Sequence, residues 1–211
     1  MSDISKNHWD IIYSTKQPNE VSWTQEAPKT SLDFIHAADL SKQSHIIDIG
    51  GGDSKLVDYL LTEGYENVTV LDISEQALIR AKKRLGSKAA KVTWIVSDIT
   101  EFNPSSPFDF WHDRATFHFL TTQAEIVKYL SATRQAVKEN GIVTIGTFSD
   151  NGPKKCSGLD IKQYTEDTLT KELENGFEKI KCITEDHTTP FKTTQNFLFC
   201  SFKRHGIINR H

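Results

Sequence analysis

The chain has 211 residues and a formal net charge of −3. This length accommodates one α/β domain with a full core, and the charge balance argues against a dedicated nucleic-acid binder, which usually carries a basic stripe. The first ten residues lack the apolar segment of a signal peptide, and no apolar run is long enough to span a bilayer. The three cysteines (Cys156, Cys182 and Cys200) form no C-x-x-C pair, which predicts free thiols and a cytoplasmic location.

Strands and helices are predicted in alternation after residues 1–44, which we expect to form helices of their own. Apolar runs bounded by turn residues predict strands at 45–49, 68–71, 92–96, 108–112 and 142–148. Apolar positions at helical spacing predict helices at 54–63, 74–85, 122–139 and 165–174. Two late strands, at 178–185 and 195–203, are joined by a short turn and should pair antiparallel.

This alternation predicts an α/β fold in three layers, with a mostly parallel sheet between two layers of helices. In such sheets the ligand binds outside the carboxyl ends of the strands, where the strand order reverses. We expect the first strand to lie at that reversal, and residues 1–44 to fold over the same crevice.

A glycine-rich turn follows the first predicted strand. Residues 46–54 read I-I-D-I-G-G-G-D-S, so an apolar strand runs through Asp48 into Gly50, Gly51 and Gly52. Glycine lets a backbone approach a ligand closely and adopt turn conformations that other residues resist. An aspartate at the mouth of this turn indicates a ligand that carries positive charge, such as the sulfonium nucleoside S-adenosylmethionine.

Four consecutive predicted strands end beside an acid: Asp48, Asp72, Asp98 and Asp113. In a parallel sheet these positions share one edge, where carboxylates repel each other unless a cation or hydrogen-bond donors satisfy them. An acid about 20 residues beyond a glycine turn, as Asp72 is here, suits a ribose diol. Aspartate also caps turns and helices at strand ends, so each acid singly is equally compatible with capping.

The D-x-G-x-G core at Asp48, with acids at 72 and 98, resembles the class I S-adenosylmethionine-dependent methyltransferases over nearly the whole chain. The resemblance implies a seven-stranded sheet in the order 3-2-1-4-5-7-6 with strand 7 antiparallel. It also implies one methyltransferase domain over residues 1–211. Within it, residues 1–44 would form a lid, 45–148 the cofactor-binding core, and 149–211 the substrate side and final strands.

The same resemblance assigns cofactor contacts. The glycine loop would hold the methionine part of S-adenosylmethionine, Asp72 the ribose and Asp98 the adenine amine, while S-adenosylhomocysteine would be the product. The full set of predicted cofactor-binding residues is Trp23, Gln25, Asp48, Gly50, Gly51, Gly52, Asp72, Ile73, Asp98, Ile99 and Asp113. The segment 8–25 resembles the N-terminal lid of a small bacterial subgroup and, more distantly, of some protein-lysine methyltransferases. Trp9, Tyr13 and Trp23 are equally compatible with packing alone.

Two other nucleotide sites are excluded by the same loop. A dinucleotide fingerprint needs a third glycine where Lys55 stands, and Asp48 and Asp53 would repel a pyrophosphate. A Walker loop would need G-K-S/T, which does not follow. The tetrapeptide typical of nucleic-acid amino-methyltransferases is also missing, because residues 112–115 read H-D-R-A.

Candidate catalytic residues cluster at the end of the fourth strand. His112 or His118 is predicted to act as a base or to orient the acceptor, and Arg114 to bind an acidic substrate group. Both histidines are also compatible with a structural role. A polar loop at 149–159 should overhang the same crevice and contains Cys156, which nothing nearby marks as activated.

The sequence therefore predicts a methyltransferase that acts on a small molecule by in-line displacement, without metal, nucleic-acid or membrane partners. Two alternatives remain open: a protein-lysine N-methyltransferase, for which an acidic crevice is suited, and a non-catalytic protein that has kept the cofactor fold.

Overall fold

The computed structural model describes residues 3–205, with side chains described from residue 6 onward. Seven strands form one sheet: β1 His45–Ile49, β2 Asn67–Asp72, β3 Val92–Val96, β4 Phe108–Arg114, β5 Val137–Phe148, β6 Phe177–Thr188 and β7 Thr194–Arg204. Their order is β3-β2-β1-β4-β5-β7-β6, and β7 is antiparallel to both neighbours. The predicted fold class and strand order are confirmed.

Between residues 3 and 205, six α-helices accompany this sheet: α1 Asp3–Thr15, α2 Lys29–Ala37, α3 Leu56–Thr62, α4 Glu75–Leu85, α5 Gln123–Ala136 and α6 Glu166–Leu173. A single 3₁₀ turn, Phe117–Phe119, follows β4, and a short ribbon pairs Lys155–Cys156 with Leu159–Asp160. Within the described part of the chain, no helix is long and apolar enough to cross a membrane.

The two faces of the sheet carry separate hydrophobic cores. Alternate residues of a strand point to opposite faces, so Ile47 and Ile49 of β1 pack with α5, while Ile46 packs with α3 and α4. These three side chains are fully buried. Strand β1 is therefore fixed in the middle of the molecule, and the glycine loop leaves it at a rigid position.

Strand β5 begins earlier than predicted. Helix α5 ends at Ala136, and Val137 already pairs with Phe108, whereas the next pairs join Phe110 to Ile142. Residues 138–141 bulge between these pairs, with Asn140 at a φ of 63°. The asparagine and glycine that suggested a loop before the strand thus form an irregularity inside it.

The prediction of three free thiols is wrong. Cys182 on β6 lies directly opposite Cys200 on β7, and the two form a disulfide, which leaves Cys156 as the free cysteine. The pairing follows from the register of the late hairpin, which brings residues 18 apart in the chain to the same rung. Spacing alone did not reveal that register.

Candidate functional site

The glycine loop after β1 leaves no room for side chains. Gly50 and Gly52 adopt φ values of 61° and 50°, which favour glycine over other residues. A Cβ on Gly51 would lie 2.6 Å from Asp48 Oδ2 and 2.7 Å from a methyl carbon of Val70. The Gly51 amide donates to the Leu71 carbonyl at 3.2 Å, which ties the loop to β2.

Two of the predicted strand-end acids line the cavity beside this loop. Asp48 and Asp72 are both buried. The Asp72 carboxylate accepts from the Ser74 amide at 2.8 Å and from the Gly52 amide, yet burial raises its pKa to about 7. Asp53 lines the cavity as well, 3.5 Å from the Arg80 guanidinium, and burial raises its pKa also.

These residues fit the cofactor that the resemblance implies. Among the described residues, no lysine, arginine or histidine lies within ion-pair distance of Asp72. A buried carboxylate without a cation suits hydroxyl or ammonium donors of a ligand. The side-chain-free backbone of Gly50 and Gly51 supplies the close approach, and Ile73 and Ile99 add apolar walls on the same side. The described residues include no group of three or more metal-ligating side chains.

The other two strand-end acids do not reach this cavity. Asp113 faces the opposite side of the sheet, because it alternates with His112 and Arg114 along β4. It accepts from the Tyr129 hydroxyl at 2.8 Å and from the Thr116 amide at 3.0 Å, and burial raises its pKa to about 6. This position does not support the predicted cofactor contact of Asp113.

Asp98 lies at the start of a short 3₁₀ turn rather than on the cavity wall. Its Oδ1 accepts from the Thr100 amide and hydroxyl, both at 2.8 Å. The neighbours Ser97 and Ile99 do line the cavity. The capping alternative therefore describes Asp98 better than the predicted contact with adenine.

An aromatic cover closes the cavity from the N-terminal side. Trp9 and Tyr13 of α1 line it together with Trp23 and Phe119. The Trp9 ring packs edge-on against Trp23 and Phe119, with centroid separations of 5.6 and 5.2 Å. The predicted cofactor residue Gln25 lines the same space. Helix α1 therefore lies over the crevice, where the sequence predicted residues 1–44 to fold.

Helix α1 is attached to α4 by polar contacts. Asp10 Oδ1 accepts from the Ser74 hydroxyl at 2.6 Å and from the Gln76 amide at 3.4 Å. The Arg80 guanidinium donates to the carbonyls of Tyr13 and Lys16 at 3.1 and 2.8 Å. These contacts join the cover to the helix that follows Asp72.

A buried hydrogen-bonded chain of three side chains lies next to the glycine loop. His112 Nδ1 lies 2.7 Å from Asp48 Oδ1, and its Nε2 lies 2.9 Å from the Ser31 hydroxyl. All three residues line the cavity, and their exposed fractions are 2% for His112, 4% for Asp48 and 1% for Ser31. Sequence reasoning missed Ser31, because nothing in its neighbourhood in α2 distinguishes it from a polar helix residue.

His118 lies outside the cavity lining. Its ring stacks on Phe148 with centroids 4.5 Å apart, and both ring nitrogens are buried without hydrogen-bond partners. Burial, assisted by the charge of Arg114, lowers its pKa to about 3. A neutral imidazole packed between aromatic rings has no contact with the acceptor space, so its placement does not support the predicted role as base.

Arg114 reaches the cavity from the end of β4, beside Cys156. It donates through Nη1 to the Trp23 carbonyl at 3.0 Å, and its Cζ lies 4.8 Å from the centroid of the Phe197 ring. Its Nε and Nη2 are buried without partners, and burial lowers its pKa to about 10. Burial raises the pKa of the Cys156 thiol to about 12, which makes that thiol a poor nucleophile at neutral pH.

Comparison with known proteins locates this site within a known domain. A family model of the methyltransferase domain matches residues 46–141, which contain the glycine loop and β4. The eEF1A lysine and N-terminal methyltransferase of Mus musculus is 25% identical over 143 residues, covering 67% of this chain and 20% of that protein. The malonyl-[acyl-carrier protein] O-methyltransferase of Anoxybacillus flavithermus is 33% identical over 107 residues, covering 50% and 39%.

The chain thus spans well under half the length of these two curated relatives. The solved structure of the 1,6-didemethyltoxoflavin-N1-methyltransferase of Burkholderia thailandensis, with its substrate and S-adenosylhomocysteine bound, superposes with a TM-score of 0.69 at 18% identity. The match covers 97% of this chain and 86% of that one, which shows that the two share a fold.

Proposed function

We propose that this chain, whose residues 46–141 match the model of the methyltransferase domain, is a class I, Rossmann-like S-adenosylmethionine-dependent methyltransferase that transfers a methyl group from S-adenosylmethionine to a small-molecule acceptor. The observation that carries the proposal is the pairing of the side-chain-free loop at Gly50 and Gly51 with the buried, cation-free carboxylate of Asp72. Two relatives that act on different acceptors, a carrier-protein malonyl group and a protein lysine, support the reaction type but differ in substrate.

S-adenosylmethionine would supply a methyl group activated by a sulfonium, whose thioether is a good leaving group. The protein's part is to hold the acceptor in line and exclude water, which can contribute about 7–11 kcal/mol to the rate. The glycine loop and Asp72 would hold the donor. Trp9, Trp23 and Phe119 would cover the reacting atoms and keep water out.

The hydrogen-bonded side chains of Ser31, His112 and Asp48 would together remove the proton of an acceptor that arrives protonated. The proton would pass through the Ser31 hydroxyl to His112 Nε2, and Asp48 Oδ1 would stabilise the imidazolium through Nδ1. This assigns the predicted base to His112 rather than to His118. Cys156, whose thiol is neutral, would only shape the wall.

A small acceptor is favoured by the enclosure of the site. The acceptor side is bounded by the aromatic residues above, by Cys156 of the short ribbon, and by the half-buried Arg114. A cationic lysine would meet that guanidinium at close range, which raises the cost of its entry. Protein-lysine methylation remains the second candidate, favoured by the relative from Mus musculus.

The cofactor assignment is tested by titration calorimetry with S-adenosylmethionine and S-adenosylhomocysteine, with NAD⁺ as the negative control. We expect both nucleosides to bind and NAD⁺ not to bind. Asp72→Ala should weaken binding of both. Unchanged affinity in that variant would reject the assignment and favour the non-catalytic alternative, and binding of NAD⁺ instead would indicate the dinucleotide site that the loop sequence argues against.

The acceptor class is tested by incubating a lysate with S-adenosylmethionine tritiated on the transferred methyl group, removing the unreacted donor by chromatography, and separating protein from small-molecule products. We expect the label in the small-molecule fraction, and expect Ser31→Ala and His112→Gln to reduce it while leaving cofactor affinity in place. Label in protein bands would favour lysine methylation. A cytoplasmic location is part of this proposal, and quantifying the Cys182–Cys200 disulfide in protein isolated from cells under thiol trapping would test it.

A further inference from the structure

One cation in the cavity has hydrogen-bonding capacity that the protein does not use. Asp113 of β4 pairs with Ile49, the last residue of β1 before the glycine loop. Arg114 is the next residue of β4, one position beyond this pair. Among the described residues, only Nη1 of this side chain has a hydrogen-bond partner, the carbonyl of Trp23. Nε and Nη2 are buried and have no partner.

The two unused nitrogens form one edge of the guanidinium. With Nη1 engaged by a carbonyl, the N–H groups of Nε and Nη2 point the same way, which is the fork that accepts a carboxylate through two parallel hydrogen bonds. The Cζ of the same guanidinium lies 4.8 Å from the centroid of the Phe197 ring, an apolar contact that occupies none of its hydrogen-bond donors. The described part of the protein therefore supplies no partner for either donor of this bidentate edge.

The surrounding residues do not neutralise this cation directly. Among the described residues, no carboxylate oxygen lies within 4.0 Å of Arg114, and Asp48 is engaged by His112. Glu185 acts on Arg114 through space, but its Oε2 is itself buried without a partner. Cys156 is a neutral thiol, and the charge of Arg114 further disfavours protonation of His118 and His187.

The walls around this edge are apolar. Trp23 and Phe119 pack against the cluster that contains Cys156, Phe148 and Phe197. A buried charge surrounded by such walls is costly unless it is paired. A ligand with an anionic group on an apolar body would pair with the guanidinium and also pack against the apolar walls.

We propose that the methyl acceptor is an apolar small molecule with a carboxylate, and that the Nε–Nη2 edge of Arg114 binds this carboxylate beside the methyl donor. This inference rests on the proposed function and names the acceptor class for it. The carboxylate serves as the anchor, and the accepting atom lies elsewhere on the same molecule.

The proposal is tested by binding measurements on the complex with S-adenosylhomocysteine, so that no acceptor needs to be known. Calorimetry would compare 3-phenylpropionate and benzoate with their neutral amides, and phenyl phosphate would represent the other common oxyanion. We expect the carboxylates to bind at least tenfold more tightly than the amides, because only they can pair with the guanidinium.

Three variants separate Arg114 from general effects. Arg114→Gln retains a donor for the Trp23 carbonyl and should lose the preference for carboxylates. Arg114→Lys keeps the charge but lacks the fork, so its preference should fall between those of the parent and the glutamine variant. Glu185→Gln removes the acid whose charge acts most strongly on Arg114, and carboxylate affinity should be unchanged or higher.

Equal binding of acids and amides, no binding of either carboxylate at millimolar concentration, or an undiminished preference in Arg114→Gln would overturn the proposal. Tighter binding of phenyl phosphate than of both carboxylates would overturn the choice of anion. Affinity for S-adenosylhomocysteine is measured in every variant. A parent protein that does not bind S-adenosylhomocysteine would count against the proposed function. A parent protein that binds S-adenosylhomocysteine but no carboxylate would count against the role of Arg114 alone. If Arg114→Gln fails to fold, the comparison of Arg114→Lys with the parent decides the question.

Discussion

At the scale of single residues, the glycine loop makes the sharpest steric prediction. Gly51→Ala places a Cβ 2.6 Å from a carboxylate oxygen of Asp48 and 2.7 Å from a carbon of Val70. Such overpacking typically costs about 1–3 kcal/mol of unfolding free energy, and it would also shift the loop that contacts the donor. We expect a lower melting temperature and weaker binding of S-adenosylhomocysteine.

The matched control for this change is Gly64→Ala. Gly64 has a φ of 87° but open space around it, so an added Cβ brings backbone strain without a collision and lies away from the site. Its variant should bind S-adenosylhomocysteine with parental affinity. A Gly51→Ala protein with parental affinity would mean that the loop does not contact the cofactor.

The buried carboxylate of Asp72 predicts a conflict between stability and function. Burial raises its pKa in the folded state to about 7, from an ordinary value of 3.8. The folded protein therefore binds the proton more tightly than the unfolded chain, and the parent loses stability as pH rises from about 4 to 7. Asp72→Asn has no such proton, so its unfolding free energy relative to the parent should rise by about 1–4 kcal/mol over this range and stay level above it.

Denaturant unfolding of both proteins at several pH values, without cofactor, measures this difference. A hydrogen bond that the amide of the Asp72→Asn variant fails to make lowers its stability equally at every pH. It therefore does not affect how the difference in unfolding free energy changes with pH. Asp72→Asn should bind S-adenosylmethionine more weakly despite its greater relative stability at pH 8. A stability difference that does not vary between pH 4 and 7 would show that Asp72 titrates normally.

At the scale of elements, helix α1 depends on α4 for its position over the cavity. Arg80 of α4 donates to the carbonyls of Tyr13 and Lys16, and hydrogen bonds from charged donors contribute about 1.5–3 kcal/mol each. In Arg80→Ala we expect hydrogen exchange of the amides of residues 6–16 to accelerate by about tenfold or more. Binding of S-adenosylhomocysteine should weaken with it, because the aromatic cover is less often closed.

Lys83→Ala is the control on the same helix. Lys83 is exposed and its replacement removes the same formal charge. If it accelerates exchange in α1 as much as Arg80→Ala does, general electrostatics rather than the two hydrogen bonds would hold the helix.

The late hairpin makes a second prediction at this scale. The disulfide between Cys182 and Cys200 closes a loop of 18 residues, which corresponds to about 3 kcal/mol of unfolding free energy in the chain-entropy account. Reduction should lower stability by about that amount in the parent and by nothing in Cys182→Ser. Thiol titration of the denatured, unreduced chain should count one free thiol, from Cys156. A count of three would support the expectation drawn from the sequence.

At the scale of the whole molecule, the sequence was sufficient for the architecture and only partly for the site. Alternating patterns along the chain predicted the three-layer architecture, whereas the strand order came from the family resemblance. The misjudged boundary at Val137 altered neither. The site depends on which way each side chain points. A strand alternates faces, so His112 and Arg114 enter the cavity while Asp113 leaves it.

The features that the sequence did not reveal are contacts between distant segments. Ser31 and His112 are 81 residues apart, and no local pattern marks the serine. His118 resembles a catalytic residue in its segment, yet the aromatic packing that lowers its pKa involves Phe148 of β5. Long-range packing of this kind becomes visible only once strand register is known.

The cofactor should stabilise the whole chain by mass action. A ligand at a concentration of 100 times its Kd adds about 2.7 kcal/mol to the unfolding free energy, which for a chain of this size raises the melting temperature by about 5–11 °C. We expect such a shift with S-adenosylhomocysteine and none with NAD⁺ at equal concentration. Because Asp72, Gly51 and Arg80 act on the same bound state through different elements, variants at all three should reduce the shift, whereas Gly64→Ala and Lys83→Ala should retain it. A full shift in the Asp72, Gly51 and Arg80 variants would place the nucleoside somewhere other than this cavity, and a shift with NAD⁺ would indicate a dinucleotide site instead.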